Sequence, residues 1–198
     1  MPIGYNVAVT EGRVVERVER VALTAVGADR PGIVAALTGT LEELGCNLED
    51  STMSILRGQF AVLLVVAVPA GLDAPTVEAS LAPVADRLDL VVVVRPVRGD
   101  PPDRPGAGDG ELYAFSVHGA DRPGIVHRAT DALGAAGGNI VDLSTRLVGS
   151  EHEPVYVLTV TAAFAPGADA ATAVDGVCRS VEAFGVRCHA HRVEIDDL

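Results

Sequence analysis

Cysteine is scarce in this chain of 198 residues: only Cys46, Cys178 and Cys188 occur, and no two stand in a Cys-x-x-Cys spacing. So odd and scattered a set argues against a zinc or disulfide framework and fits buried thiols in a reducing compartment. Positive charge is also in short supply, with 15 Lys and Arg against 27 Asp and Glu and a formal net charge of −12. That balance opposes the phosphate backbone of nucleic acid and the anionic face of a membrane, so direct DNA binding is not expected. Long apolar runs are missing as well. The longest, residues 60–69, is about half of what a helix needs to span a bilayer, and the first residues lack the basic and apolar regions of a signal peptide. A cytoplasmic location is expected.

What the chain does have is a repeat. The string Gly-Ala-Asp-Arg-Pro-Gly-Ile-Val occupies residues 27–34 and returns 92 positions later at residues 119–126. Leu41, Gly45, Asn47 and Asp50 fall at the same spacing on Leu133, Gly137, Asn139 and Asp142. A repeat that carries polar residues along with apolar ones has copied a site together with a fold. Each copy has about 80 to 90 residues, enough for one modest core, so two compact domains are expected.

The first copy predicts a strand over 21–26, a tight turn, and a helix over about 32–44. In that helix Ile33, Ala36, Leu37, Leu41 and Leu44 recur at helical spacing, and Gly45 ends it in the left-handed conformation. Two β-rich runs follow, 47–56 and 60–68, joined by a short Gly-containing connection that suits a hairpin. A second helix carries Val77, Leu81, Val84 and Leu88 on one face, and 90–94 closes the unit as a strand. The second copy reads the same way: strand 112–118, helix 124–136, strands 139–148 and 155–164, helix 168–184 and strand 186–195. Gly71 and Asp73 correspond to Gly167 and Asp169 at a spacing of 96, which places four extra residues near 149–154, where a loop is expected. Residues 98–110, RGDPPDRPGAGDG, have no apolar face and read as a linker. The domain reading is an N-terminal extension over 1–20, a first domain over 21–96, a linker over 97–111 and a second domain over 112–195. The extension either lengthens the first strand or forms an element of its own.

The order βαββαβ, twice, is an α+β arrangement of two ferredoxin-like units, each an antiparallel sheet with its helices on one face. That fold hosts many functions, so function has to come from the repeated turn. A Gly-Ala-Asp-Arg-Pro-Gly turn aims backbone N–H groups outward at a helix N-terminus, where the dipole favours an anion such as a carboxylate. Asp29 or Asp121 stands in the same turn, so amide cluster and acid together suit the two ends of an amino-acid zwitterion. Asn47 and Asn139 each add an amide that donates and accepts. The same residues also admit plainer roles. Asp29 and Asp121 are good N-caps, Pro31-Gly32 and Pro123-Gly124 are good helix starts, and Asn after a helix-ending Gly is a common turn residue.

Other chemistry finds no support. His189 and His191 share a face of one strand but have no third ligand nearby in sequence, so no metal is expected. Ser51, Thr52, Ser144 and Thr145 lack a neighbouring His in both copies, so no nucleophile is visible and the chain is not read as an enzyme. The turn lacks the Lys and Ser/Thr of a phosphate loop and is not a dinucleotide fingerprint, so no cofactor is expected.

At these residues the sequence resembles the ACT-domain family of small-molecule-sensing modules. The family's pattern is a D-R-P-G-[IV] turn after the first strand, an L-x-x-x-G at the helix end and an Asn-[IL] entering the second strand; both copies match it. A bare pair of such domains is similar to the tandem-ACT regulators of the glycine cleavage system repressor group. The resemblance implies an amino-acid-sensing regulatory protein that works through a protein partner, with a regulatory subunit or small enzyme of amino-acid metabolism as the alternative. It implies that the two domains pack as an intrachain pseudo-dimer and leaves room for a homodimer. It also implies ligand contacts from Ala28, Asp29, Arg30, Gly32 and Ile33, with Asn47 and Leu48, in the first copy. The corresponding residues in the second are Ala120, Asp121, Arg122, Gly124 and Ile125, with Asn139 and Ile140.

Overall fold

The computed structural model describes residues 6–10, 13–17, 19–97, 110–150, 153–165 and 169–193. The chain divides into two compact units, Met1–Asp100 and Pro101–Leu198. Most of the linker reading, residues 98–109, lies outside the described residues.

In the first unit β1 (Asn6–Thr10) and β2 (Arg13–Arg17) pair antiparallel as a two-stranded sheet of their own. The extension is thus a separate hairpin-like element, and the first strand of the repeat starts just after it. That repeat runs β3 (Glu19–Ala28), α1 (Ile33–Glu43), β4 (Asn47–Leu56), β5 (Gln59–Val68), α2 (Ala74–Leu88) and β6 (Leu90–Pro96). Its four strands form one antiparallel sheet in the order β4-β5-β3-β6.

Alternation decides which sheet face is buried. Val21, Leu23 and Ala25 of β3 and Phe60, Val62, Leu64, Val66 and Val68 of β5 face the helices and meet Ile33, Leu37 and Leu41 of α1 and Val77, Leu81 and Val84 of α2. The run 60–68 is apolar throughout, yet only every second residue is buried, and Leu63 on the other face is 43% exposed. Both helices lie on one side of the sheet.

The second unit repeats this with β7 (Glu111–Ala120), α3 (Ile125–Ala135), β8 (Asn139–Ser150), β9 (Glu153–Phe164), α4 (Ala170–Glu182) and β10 (Arg187–Val193), in the order β8-β9-β7-β10. Its core is built from Phe115, Val117, Ile125, Leu133, Leu158 and Val160 with Val174, Val177 and Val181 of α4. The four extra residues do not enlarge a loop. They lengthen the hairpin, whose strands have 12 residues each against 10 in β4 and β5, and pairing continues to Ser150–Glu153. The hairpin of the first unit closes on Arg57 and Gly58, both at positive φ (50° and 77°), a two-residue turn whose twist matches that of the strands.

Both α1 and α3 stop in the same way. Past Leu44, the Gly45 N–H donates to the Glu42 carbonyl and the Cys46 N–H to the Leu41 carbonyl, with Gly45 at φ 72°. Gly137 and Gly138 make the matching bonds to Gly134 and Leu133. This pair of bonds satisfies two carbonyls that the helix end would leave open.

One expectation about the cysteines is overturned. Cys178 of α4 and Cys188 of β10 are joined as a disulfide, with Cα atoms 5.2 Å apart, and only Cys46 is a free thiol among the described cysteines. Sequence spacing could not show this, because the pair meets only when α4 folds back across β10. Cys46 itself is half-buried against the first core, and desolvation raises its thiol above the ordinary cysteine range.

Candidate functional site

In each unit the repeated turn links the first strand to the first helix. Neither turn uses its acid as a cap. The N-cap positions are Gly32 and Gly124, at φ 91° and 97°, and neither has a side-chain cap hydrogen bond. Only Gly enters that left-handed region cheaply, and it offers no side-chain oxygen. Pro31 and Pro123 precede the cap instead of sitting in the first helical turn.

The contrast lies within the same molecule. At α2 and α4 the caps are Asp73 and Asp169, whose side chains accept from Thr76 N–H (2.9 Å) and Thr172 N–H (3.2 Å). Helices α1 and α3 therefore open with first-turn N–H groups that no capping side chain occupies, and with no acidic residue in the first turn. The positive end of the helix dipole at these two turns is thus not offset by a capping carboxylate, as it is at α2 and α4.

Around this opening Asp29, Arg30, Asp121 and Arg122 are exposed, as are Ala120, Gly32 and Gly124, and Ala28 is half-buried. Ile33 and Ile125 are different: each is 2% exposed and belongs to its core, so its backbone N–H is what it presents at the turn. The first turn is tied down by the Asp29 N–H, which donates to the Gly58 carbonyl at the tip of the β4–β5 hairpin (2.8 Å). Behind it, Gly27 has no room for a side chain. A methyl there would lie 2.7 Å from the Asp89 carbonyl oxygen and 2.6 Å from Leu90 Cδ2.

The second turn is walled by the corner between α4 and β10. A methyl on Gly119 would lie 2.9 Å from Val186, and one on Gly124 would lie 3.9 Å from the Phe184 ring. The Arg128 guanidinium sits 4.5 Å above the centre of that ring, and the Arg122 guanidinium comes within 3.2 Å of where a Gly185 side chain would begin. Sequence reading missed Phe184 and Gly58 because each comes from a distant stretch of chain and carries no motif, and Arg128 because, although it stands in the first turn of α3, its counterpart in the first copy is Ala36 and the repeat does not mark it.

Asn47 and Asn139 are exposed, each at the start of its second strand, while Leu48 is exposed and Ile140 half-buried. The register keeps each Asn apart from its own turn. Asn47 pairs with Ala67 and Ala67 with Arg20, whereas Ala28 pairs with Gln59 and Gln59 with Leu56. Those rows lie eight β3 residues apart, roughly 26 Å at the usual rise per residue. The same holds for Asn139, which shares a row with Ala163 and Leu112, while Ala120 shares one with Val155 and Val148. Both strands bulge just beyond the Asn, between Leu48 and Asp50 and between Ile140 and Asp142. In the first unit the bulge residue Glu49 pairs with Arg20 at 2.5 Å.

His189 and His191 stand on the exposed face of β10 with ring centres 6.1 Å apart. Among the described residues no three His, Cys, Asp or Glu side chains come together as a metal site, and no helix is long and apolar enough to cross a membrane.

Comparison with known proteins places this geometry. The family model for the ACT domain matches residues 19–95. Along 170 residues the chain is 32% identical to the glycine cleavage system transcriptional repressor of Escherichia coli (strain K12), covering 82% of this chain and 86% of that one. The chain belongs to the ACT-domain family. The family model reaches only the first unit of this ACT protein; the second is recognised by its copy of the turn and its identical strand order. Among solved structures, a protein of unknown function from Galdieria sulphuraria superposes with a TM-score of 0.73 at 25% identity, over 90% of this chain and all of that one. A candidate glycine cleavage system transcriptional repressor superposes at 0.64 and 18% identity, over 89% and 98% of the two chains, a likeness of fold. The chain is thus a tandem ACT protein related to a transcriptional repressor.

Proposed function

We propose that this protein is an amino-acid sensor whose repeated turns receive the carboxylate of a small amino acid and whose response is read by a protein partner, a transcriptional regulator being the natural kind. One observation carries the reading: α1 and α3 start without a capping side chain, while α2 and α4 of the same units are capped by Asp. An amino-acid carboxylate at Gly32–Ala35 or Gly124–His127 accepts the N–H groups that the protein leaves open. Asp29 or Asp121, exposed beside it, then meets the ammonium group. Such a site binds without doing chemistry, in keeping with a regulator and with kinship to a repressor. The net charge of −12 favours action on a partner over a direct grip on DNA.

Within one unit the asparagine is out of reach of the turn, so its contribution is a separate question with its own variant. A thermal-shift screen of the twenty amino acids tests the reading, because a ligand that binds only the folded state raises the melting temperature by mass action. One or a few small amino acids are expected to raise it by several degrees. Asp29→Ala and Asp121→Ala should each remove one site of that response, and Asn47→Ala and Asn139→Ala should weaken it if the amides touch ligand. A flat screen, or a response untouched by both Asp variants, overturns the proposal.

A further inference from the structure

We propose that Cys178 and Cys188 are a reversible redox site whose disulfide tethers the corner walling the second signature turn, so that thiol status sets the rigidity of that turn and leaves the first turn unaffected. The bond joins α4 to the second residue of β10 and closes a loop containing Phe184, Gly185 and Val186. Those three residues lie against the turn: Val186 fills the space at Gly119, Gly185 abuts Arg122, and Phe184 reaches toward Gly124 and carries Arg128 on its face. Holding the corner therefore holds the wall.

Without the bond the corner is held by Val186, which is buried in the second core, by Phe184 packed against that core, and by a small set of backbone bonds. β10 is an edge strand paired on one side with β7, and the corner keeps three backbone bonds to the last turn of α4 and a long 3.4 Å contact from the Cys188 N–H to Glu182. Edge strands next to a loop are among the segments that open locally at low free energy. The first unit has Ala82 and Val92 where the second has the cysteines, and Ala36 and Leu88 where it has Arg128 and Phe184. Its corner presses on Gly27 in the same way but cannot be cross-linked. Of the two signature turns, only the second is thus open to redox control.

Both cysteines are half-buried, which leaves them within reach of a small thiol or disulfide. Oxidation requires a low-molecular-weight disulfide. The thiolate of one cysteine attacks it, forming a mixed disulfide and releasing one small thiol. The second cysteine then displaces the other small thiol and forms the Cys178–Cys188 bond. Two cysteine thiols are oxidised, one small disulfide is reduced, and the two cysteine protons end on the released thiols. Reduction runs the same steps backward.

The consequence for ligand binding rests on the function proposed above, but rigidity is measured without ligand. The full-length protein is equilibrated in glutathione buffers of varied ratio, its free thiols are trapped by alkylation, and amide hydrogen exchange is followed by mass spectrometry. Cys178 and Cys188 are expected to convert as a pair while Cys46 stays a thiol. On reduction, exchange over 119–125 and 184–188 should rise about tenfold while 27–33 changes less than about twofold. A Cys178→Ser/Cys188→Ser protein should match the reduced state in every buffer. Failure of the pair to interconvert, equal protection of 119–125 in both states, or a uniform rise through the core strands β7 and β9 overturns the proposal. A ligand screen that finds nothing would undo the sensor reading and leave this difference in place.

Discussion

Gly27 and Gly39 lie twelve residues apart and answer to opposite constraints. A Cβ on Gly27 would meet the Asp89 carbonyl at 2.7 Å and Leu90 at 2.6 Å, and the backbone oxygen cannot swing away as a side-chain end could. Gly27→Ala is therefore expected to destabilise the first unit by about 1–3 kcal/mol, the range for overpacking a close contact. Gly39 sits inside α1 with nothing within 4 Å of its would-be Cβ, and there Ala removes the entropy penalty of glycine in a helix. Gly39→Ala should stabilise by about 0.5–1 kcal/mol. Urea unfolding of the two variants checks both signs. If Gly27→Ala proves neutral, the close approach of the strand end to the α2–β6 corner is wrong.

Helices α1 and α3 differ from α2 and α4 in how their N-termini are capped, and that difference is a pH prediction. Hydrogen bonds from the Thr76 side chain and then its N–H hold the Asp73 carboxyl below the ordinary aspartate value of 3.8, and Thr172 does the same for Asp169. A carboxyl whose folded pKa is lowered contributes stability above its unfolded pKa and loses it as pH falls through the folded value. The protein should hold its melting temperature from neutral pH to about pH 5, and the caps' share should be lost below about pH 4. Asp73→Ala and Asp169→Ala should lower the neutral-pH melting temperature and flatten its acid fall. The matching changes at Asp29 and Asp121, which cap nothing, should leave both unchanged in the absence of ligand. An equal loss from all four would mean that the signature turns are ordinary helix starts.

For the whole molecule the balance of charge governs what it can approach. At −12 it has no excess of cations with which to release counterions from a duplex, and kinship to a transcriptional repressor does not alter that physics. In a mobility-shift titration at physiological salt the isolated protein should form no sequence-specific complex at nanomolar concentration. A specific shift by the protein alone would contradict action through a partner. Such a partner, if pulled down with the protein, should restore DNA binding and respond to the amino acid found in the thermal screen.

Much of this was legible in the sequence because it is local or repeated. Strand and helix order follows from apolar spacing, the helix ends from Gly45 and Gly137, and the existence of two like domains from an octapeptide copied 92 residues on. The site's turn was legible for the same reason, but its chemistry was not. Whether Asp29 caps α1 depends on the backbone angles of Gly32, and those angles put a glycine at the cap and leave the acid exposed. Face assignment in a run such as 60–68, apolar on both sides, depends on where the helices pack. The bulges beyond Asn47 and Asn139 leave no mark in composition, and the gap between each asparagine and its turn follows only from strand register. Cys178 and Cys188, read singly, are two thiols; it is the return of α4 over β10 that makes them a pair. Sequence fixes what neighbours in the chain do to one another, and tertiary structure alone decides which distant groups meet, because packing and register are properties of the assembled sheet.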